Sequence, residues 1–162
     1  RLLFLYNYGG LYFDLDMILL KDLMPILDLE FCYSWSDKKR GNNGILRLKK
    51  KSINCEKILK KYNNNTPQCV GTNKQIFTDD LDIYCLPSVL FDPIWILNDK
   101  NIKSKYSQLN KFDNFFKKTD ENVNIFFDNQ IFAYHWHSRN NINIETNSYF
   151  SFFENKFTPL KL

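Results

Sequence analysis

Asp14 and Asp16 lie within Tyr6–Leu20, YNYGGLYFDLDMILL, a stretch that is otherwise largely apolar and aromatic. On a continuous strand, the two-residue period turns both carboxylates to one face, roughly 6–7 Å apart. At that separation they repel by about 2.5 kcal/mol at an effective dielectric near 20, and by well under ~1 kcal/mol in bulk water. A pair partly withdrawn from water is therefore unfavourable unless a cation lies between the two. A hard divalent ion suits the place, because Mg²⁺ or Mn²⁺ takes one or two carboxylates and completes its shell with water and phosphate oxygens. The plainer reading is that the aspartates cap or turn a loop at a strand end, as most isolated Asp-x-Asp pairs do.

The two histidines, His135 and His137, are spaced i, i+2 in NQIFAYHWHS, which puts both on one face of a strand. A lone histidine is more often a satisfied structural residue than a ligand. An imidazole in a carboxylate site would tilt its preference from Mg²⁺ toward Mn²⁺.

The surrounding elements must hold these groups. RLLFLYNY followed by Gly9-Gly10 predicts a buried helix ending at a glycine cap. Extended segments are expected on either side of, or running through, the aspartates, with Pro25 closing the unit. Residues 31–36 (FCYSWS) read as a strand, 37–44 (DKKRGNNG) as a turn-rich loop, and ILRL as a third short strand. Ile53, Ile58, Leu59 and Tyr62 recur at near-helical spacing behind Ser52, a suitable N-cap. Beyond Pro67 and Gly71 a short helix is expected over 73–78 and a strand in DIYCLP. A variable loop or a poorly specified helix should follow over 98–124, and a last strand in 129–138. No internal repeat is visible.

At 162 residues the chain suits one domain with one sizeable core, and 17% aromatic with 25% charged residues is a globular composition. The net charge of +4 comes from scattered lysines, densest at Lys49–Lys51 and Lys57–Lys61, which read first as a solvated helix face. No nucleic-acid partner is expected. Four widely spaced cysteines, without a CxxC pair, indicate neither a zinc site nor a dense disulfide framework and favour a reducing compartment. No apolar run approaches the ~20 residues that span a bilayer. The start at Arg1, with no initiator methionine, reads as a fragment.

Arg1, Gly9, Gly10, Tyr12, Asp14 and Asp16 together form R-x7-GG-x-Y-x-D-x-D. This pattern resembles the DXD sugar-binding region of a glycosyltransferase family that includes α1,4-glycosyltransferases, the yeast-type initiating α1,6-mannosyltransferase and large glucosylating bacterial toxins. Asn43-Gly44, Gly71, LPSVLFDPIW (86–95) and FAYHWHS resemble later elements of that family in the same order, so the resemblance spans about residues 1–139.

The resemblance implies an α/β GT-A fold, the Rossmann-like nucleotide-diphospho-sugar transferase architecture. Residues 1–162 would be the C-terminal portion of a single catalytic domain, lacking its N-terminal strands in this fragment. It further implies Mn²⁺ or Mg²⁺ held by Asp14, Asp16 and His135, with Asp16 a direct ligand and Asp14 reaching the ribose or sugar and the metal shell. Arg1, thirteen residues before Asp14, matches the spacing of an arginine that approaches the donor, and its forked guanidinium suits phosphate or sugar hydroxyls. Tyr12, Gly9, Gly10 and Asn43 would complete the donor site, although Tyr12 reads equally well as a core aromatic. The implied activity is retaining transfer from a UDP-sugar or GDP-mannose to a glycan, glycolipid or protein acceptor. A cytoplasmic location is favoured for the fragment, and a Golgi lumenal one, or membrane association, would require regions outside it.

Three departures stand out: Thr72 after Gly71 where proline is usual, Asp92 where an aromatic is usual, and no Ser-Trp after the histidines. His137 also replaces an aromatic. These departures bear on acceptor recognition more than on metal binding. One rival reading is a haloacid-dehalogenase-like phosphatase, since YFDLD also resembles its strand-end Asp-x-Asp, with TDDLD (78–82) as a later acidic motif; the glycine pair then has no role. A second is a non-catalytic carbohydrate-binding module whose aromatics stack on sugars.

Overall fold

Helix α1 (Leu2–Tyr8) stops where the sequence predicts, because Gly9 adopts φ 71° and its N–H closes onto the Leu5 carbonyl at 2.7 Å. A Cβ at position 9 would lie 2.7 Å from the backbone nitrogen of Lys50. Conformation and close approach therefore both require glycine there. The helix is less buried than expected, since only Leu5 is enclosed while Leu3, Phe4 and Tyr8 remain exposed.

The structure is a computed structural model that describes residues 1–35, 38–61, 80–93, 112–120, 131–137 and 142–157. The expected helix over 73–78, Gly71, Thr72, Trp95 and most of 98–124 lie outside the described residues.

After α1 come β1 (Gly10–Phe13), β2 (Met17–Leu19), a 3-10 turn at Met24–Ile26, β3 (Phe31–Trp35) and β4 (Lys38–Leu48). Helix α2 (Ile53–Lys61) follows, then β5 (Tyr84–Leu86), 3-10 turns at Ser88–Leu90 and Phe112–Phe116, β6 (Ala133–His135) and α3 (Tyr149–Phe157). Four strands form a mixed sheet in the order β1-β4-β3-β5, antiparallel except for the parallel β3/β5 pair. The other two pair antiparallel as β2-β6. This mixed α/β arrangement with a small mixed sheet is compatible with a Rossmann-like fold.

Strand alternation divides the core. Phe31, Tyr33 and Ile45 face Met17, Phe91 and Ala133, whereas Cys32, Leu46 and Leu48 face Leu5 of α1 and Cys55 of α2. Ser52 caps α2 as expected, its hydroxyl accepting from the Cys55 N–H at 3.2 Å. A third cluster joins Phe115, Phe116, Tyr134, Tyr149 and Phe153, which binds the 3-10 turn at 112–116, β6 and α3.

Of the segment expected as a loop over 37–44, residue 37 lies outside the described residues and residues 38–44 are instead part of the eleven-residue β4. Its Gly-Asn composition reflects an irregularity: Cys32 pairs with Leu46 but Tyr33 pairs with Asn42, so the β4 backbone bulges through 43–45 against β3. On its other side the bulge meets β1, where Ile45 pairs with Phe13 and the Gly44 carbonyl accepts from the Asp14 N–H at 2.7 Å.

Cys32 and Cys85 are register partners on β3 and β5, the first buried and the second exposed. The Cys32 thiol donates to the Cys85 sulfur, which stabilises a thiolate there and draws Cys85 down to about 7, while the same contact and burial push Cys32 far up. Iodoacetamide at pH 7.5 should therefore alkylate Cys85 first among Cys32, Cys55 and Cys85. Peptide mapping that finds Cys32 labelled as fast as Cys85 would contradict the pairing.

Candidate functional site

Asp14 and Asp16 do not lie on one strand. β1 ends at Phe13, Leu15–Asp16 turn, and β2 starts at Met17 in the other sheet. The two carboxylates nevertheless converge, because each is fixed by a different neighbour. Asp14 is tied to the β4 bulge through its backbone N–H on Gly44. Asp16 accepts the Trp136 N–H on its backbone carbonyl at 3.1 Å, extending the β2/β6 pairing in which Met17 faces His135. That register sets the His135 Nε2 3.2 Å from Asp16 Oδ1. One donor atom each from Asp14, Asp16 and His135 lies within 4.8 Å of the others.

Exposure grades across this trio. The side chains of Asp14 and Asp16 are 30% and 21% exposed and that of His135 6%. The carboxylates thus face solvent while the imidazole backs them from inside. Burial first, and the neighbouring His137 second, hold His135 below the ordinary histidine range against the opposing pull of Asp92, Asp16 and Asp14. At neutral pH it is an uncharged ring with a lone pair to give.

The remaining residues expected at the donor site surround Asp14. Tyr12 donates its hydroxyl to Asp14 Oδ1 at 2.7 Å. Arg1 stands 4.2 Å above the Tyr12 ring, with Nη1 3.5 Å from Asp14 Oδ1 and donating to the backbone carbonyl and side-chain oxygen of Asn43 at 3.0 and 3.1 Å. Burial, then the bond to Asp14, raise the Tyr12 phenol, with Arg1 pulling the other way. It therefore remains a donor at neutral pH. Tyr12 thus stands between Arg1 and Asp14 and is only in part a core aromatic. Gly9 and Gly10 contribute backbone geometry: both have positive φ, 71° and 114°, and they turn α1 into β1 so that Tyr12 and Asp14 follow in place. Gly44 completes the cradle. A Cβ there would sit 3.2 Å from Asp14 Oδ2 and 3.1 Å from the Met17 terminal methyl.

Residues not predicted for the site stand behind His135. Tyr33, fully buried, has its hydroxyl 3.0 Å from His135 Nδ1 and 3.4 Å from Asp92 Oδ2. Asp92 is fully buried too, and its Oδ2 receives His137 Nε2 at 2.8 Å and lies 3.7 Å from His135 Nδ1. Asp92 and His137, both noted as departures, touch each other. His137 sits at φ 52°, just past the end of β6, with its ring stacked on His135 at 3.7 Å between centroids. Asp92 carried a sequence signal as an acid in an apolar segment, but its partners are 43 and 45 residues away. Tyr33 carried none, being one aromatic in an ordinary strand.

A divalent ion fits this donor set: two partly exposed carboxylates and a neutral imidazole, open on the solvent side for further oxygen ligands. Residues 1–32 match the family model described as glycosyltransferase sugar-binding region containing DXD motif. No curated protein and no solved structure matches the chain. Coarsely, the family match points to a sugar-binding glycosyltransferase, and it covers both aspartates.

Proposed function

We propose that this chain forms the metal-holding part of a GT-A type glycosyltransferase that moves a sugar from a nucleotide-sugar to a hydroxyl acceptor with retention of configuration. The observation that carries the reading is the convergence of Asp14, Asp16 and His135 from separate segments onto one cation-sized point, within the stretch that the family model covers and beside it. Tyr12 and Arg1 against Asp14, with Asn43 holding Arg1, support a site that takes a donor as well as an ion.

When bound, a divalent ion would supply Lewis-acid neutralisation of the negative charge that grows on the departing nucleoside diphosphate. Asp16 and His135 would hold it, Asp16 by its charge and His135 through Nε2. Asp14, fixed by Tyr12 and Gly44, presents its second oxygen to the ion or to donor hydroxyls. Arg1 faces the same opening with further N–H donors in a planar fork, suited to phosphate or sugar oxygens. The inner wall of Tyr33, Phe91 and Ala133 keeps bulk water from the back of His135, which strengthens charge interactions inside.

A panel of nucleotide-sugars incubated with the protein and Mn²⁺ tests this reading. One donor should be hydrolysed or transferred in the presence of Mn²⁺ and left intact in a chelator. Sugar binding that persists in chelator, with no turnover of any donor, would instead favour a binding module.

A further inference from the structure

Asp92, His135 and His137 make a second ligand set back to back with the first. One donor atom from each lies within 4.8 Å of the others. A tetrahedral ion with bonds of about 2.0–2.2 Å sets its ligands roughly 3.4 Å apart, which side-chain rotation can reach from that span. An independent observation marks the place as built for a cation. Asp92 is fully enclosed, yet its Oδ1 has no hydrogen-bond partner among the described residues, because Tyr33, His137 and His135 all approach Oδ2. A buried carboxylate oxygen left bare costs free energy, and a positive ion taken by both Asp92 oxygens removes that cost.

We propose that Asp92, His135 and His137 bind a second cation of the borderline, imidazole-preferring class, such as Zn²⁺, and that it competes with the Asp14–Asp16 site for His135. A neutral imidazole has one lone pair and one N–H. When Nδ1–H points to Tyr33 and Asp92, the Nε2 lone pair faces Asp16. When Nε2–H donates to Asp16 Oδ1 instead, the Nδ1 lone pair faces the Tyr33 hydroxyl and Asp92, and it is open to an ion once that hydroxyl turns to Asp92 Oδ2, 3.4 Å away. Both arrangements have hydrogen-bond partners in place, at 3.0 Å on one side and 3.2 Å on the other. Ligand chemistry separates the two sites: two imidazoles and one carboxylate favour Zn²⁺, and two carboxylates with one imidazole favour Mn²⁺ or Mg²⁺. Zn²⁺ would thus act as an antagonist of the proposed donor site. The competition rests on the proposed function, and Zn²⁺ binding itself does not.

The test is titration of the full chain with Zn²⁺ alone, read by competition with a chromophoric chelator, in a Cys85→Ser background that removes the thiol exposed among the described residues. His137→Gln and Asp92→Asn should each weaken Zn²⁺ binding by at least about 10-fold, and Asp14→Asn should change it by less than about twofold. Circular dichroism checks folding, and His137, 21% exposed, decides the matter if Asp92→Asn unfolds. Zn²⁺ affinity unchanged in His137→Gln, or lost equally in Asp14→Asn, overturns the site. In a second arm, saturating Zn²⁺ should weaken Mn²⁺ binding by at least about 10-fold, and Mn²⁺ affinity indifferent to Zn²⁺ overturns the shared histidine. Zn²⁺ binding that follows His137 while Mn²⁺ does not bind at all upholds the second site and counts against the proposed function alone.

Discussion

Replacing Asp16 with asparagine is expected to lower metal-dependent transfer by about 100-fold or more while leaving the fold intact. Asparagine keeps the volume and keeps an oxygen to accept from His135 Nε2, 3.2 Å away in the parent. The backbone carbonyl that accepts the Trp136 N–H is untouched. Only the negative charge is lost, and a hard cation depends on that charge for its binding and for holding a diphosphate. Steady-state assays with the responsive donor, paired with circular dichroism, check both halves. Turnover within about threefold of the parent, with Mn²⁺ still required, would remove Asp16 from the metal site.

The largest effect on stability is expected at Phe115. It is 1% exposed and its ring lies 4.4 Å from Tyr134, 6.0 Å from Trp136, 6.3 Å from Tyr149 and 6.1 Å from Phe153, centroid to centroid. Phe115→Ala removes the shared centre of three elements and leaves a cavity lined by flat rings that cannot collapse into it. A loss of about 3–5 kcal/mol is expected, read as a lower midpoint in urea denaturation. A change below about 1 kcal/mol would mean that the cluster is not cooperative with the rest of the core. Because Trp136 precedes His137 and follows His135, this variant should also loosen the histidine pair.

The part of the site that local chemistry dictates was legible in the sequence. Two aspartates in an apolar stretch, a glycine pair and a late histidine are chemically conspicuous wherever they fall, and Asp14, Asp16 and His135 do meet. Their mechanism of convergence was not legible. A period-two argument puts both aspartates on one strand, whereas a turn between two sheets brings them together, and only long-range pairing of β2 with β6 and of Asp14 with Gly44 fixes that turn. The same limit explains β4: Gly41, Asn42, Asn43 and Gly44 have turn-forming residue types, and a bulge uses those types inside a strand. Helix α3 had no matching expectation, although Tyr149, Phe150 and Phe153 recur at i, i+1 and i+4, the spacing of one helical face. Its stability comes from the cluster around Phe115, which no local window contains. Asp92 had to wait for the fold altogether, since its meaning depends on two histidines more than forty residues onward.

The central claim, that Asp14, Asp16 and His135 hold one divalent ion, is tested most directly by pulsed electron paramagnetic resonance of Mn²⁺ added to the protein with a nucleoside diphosphate. The spectrum should carry the modulation of one directly bound imidazole nitrogen, and that modulation should vanish in His135→Gln. Tightly bound Mn²⁺ with no nitrogen coupling, or a coupling that survives His135→Gln, would contradict it.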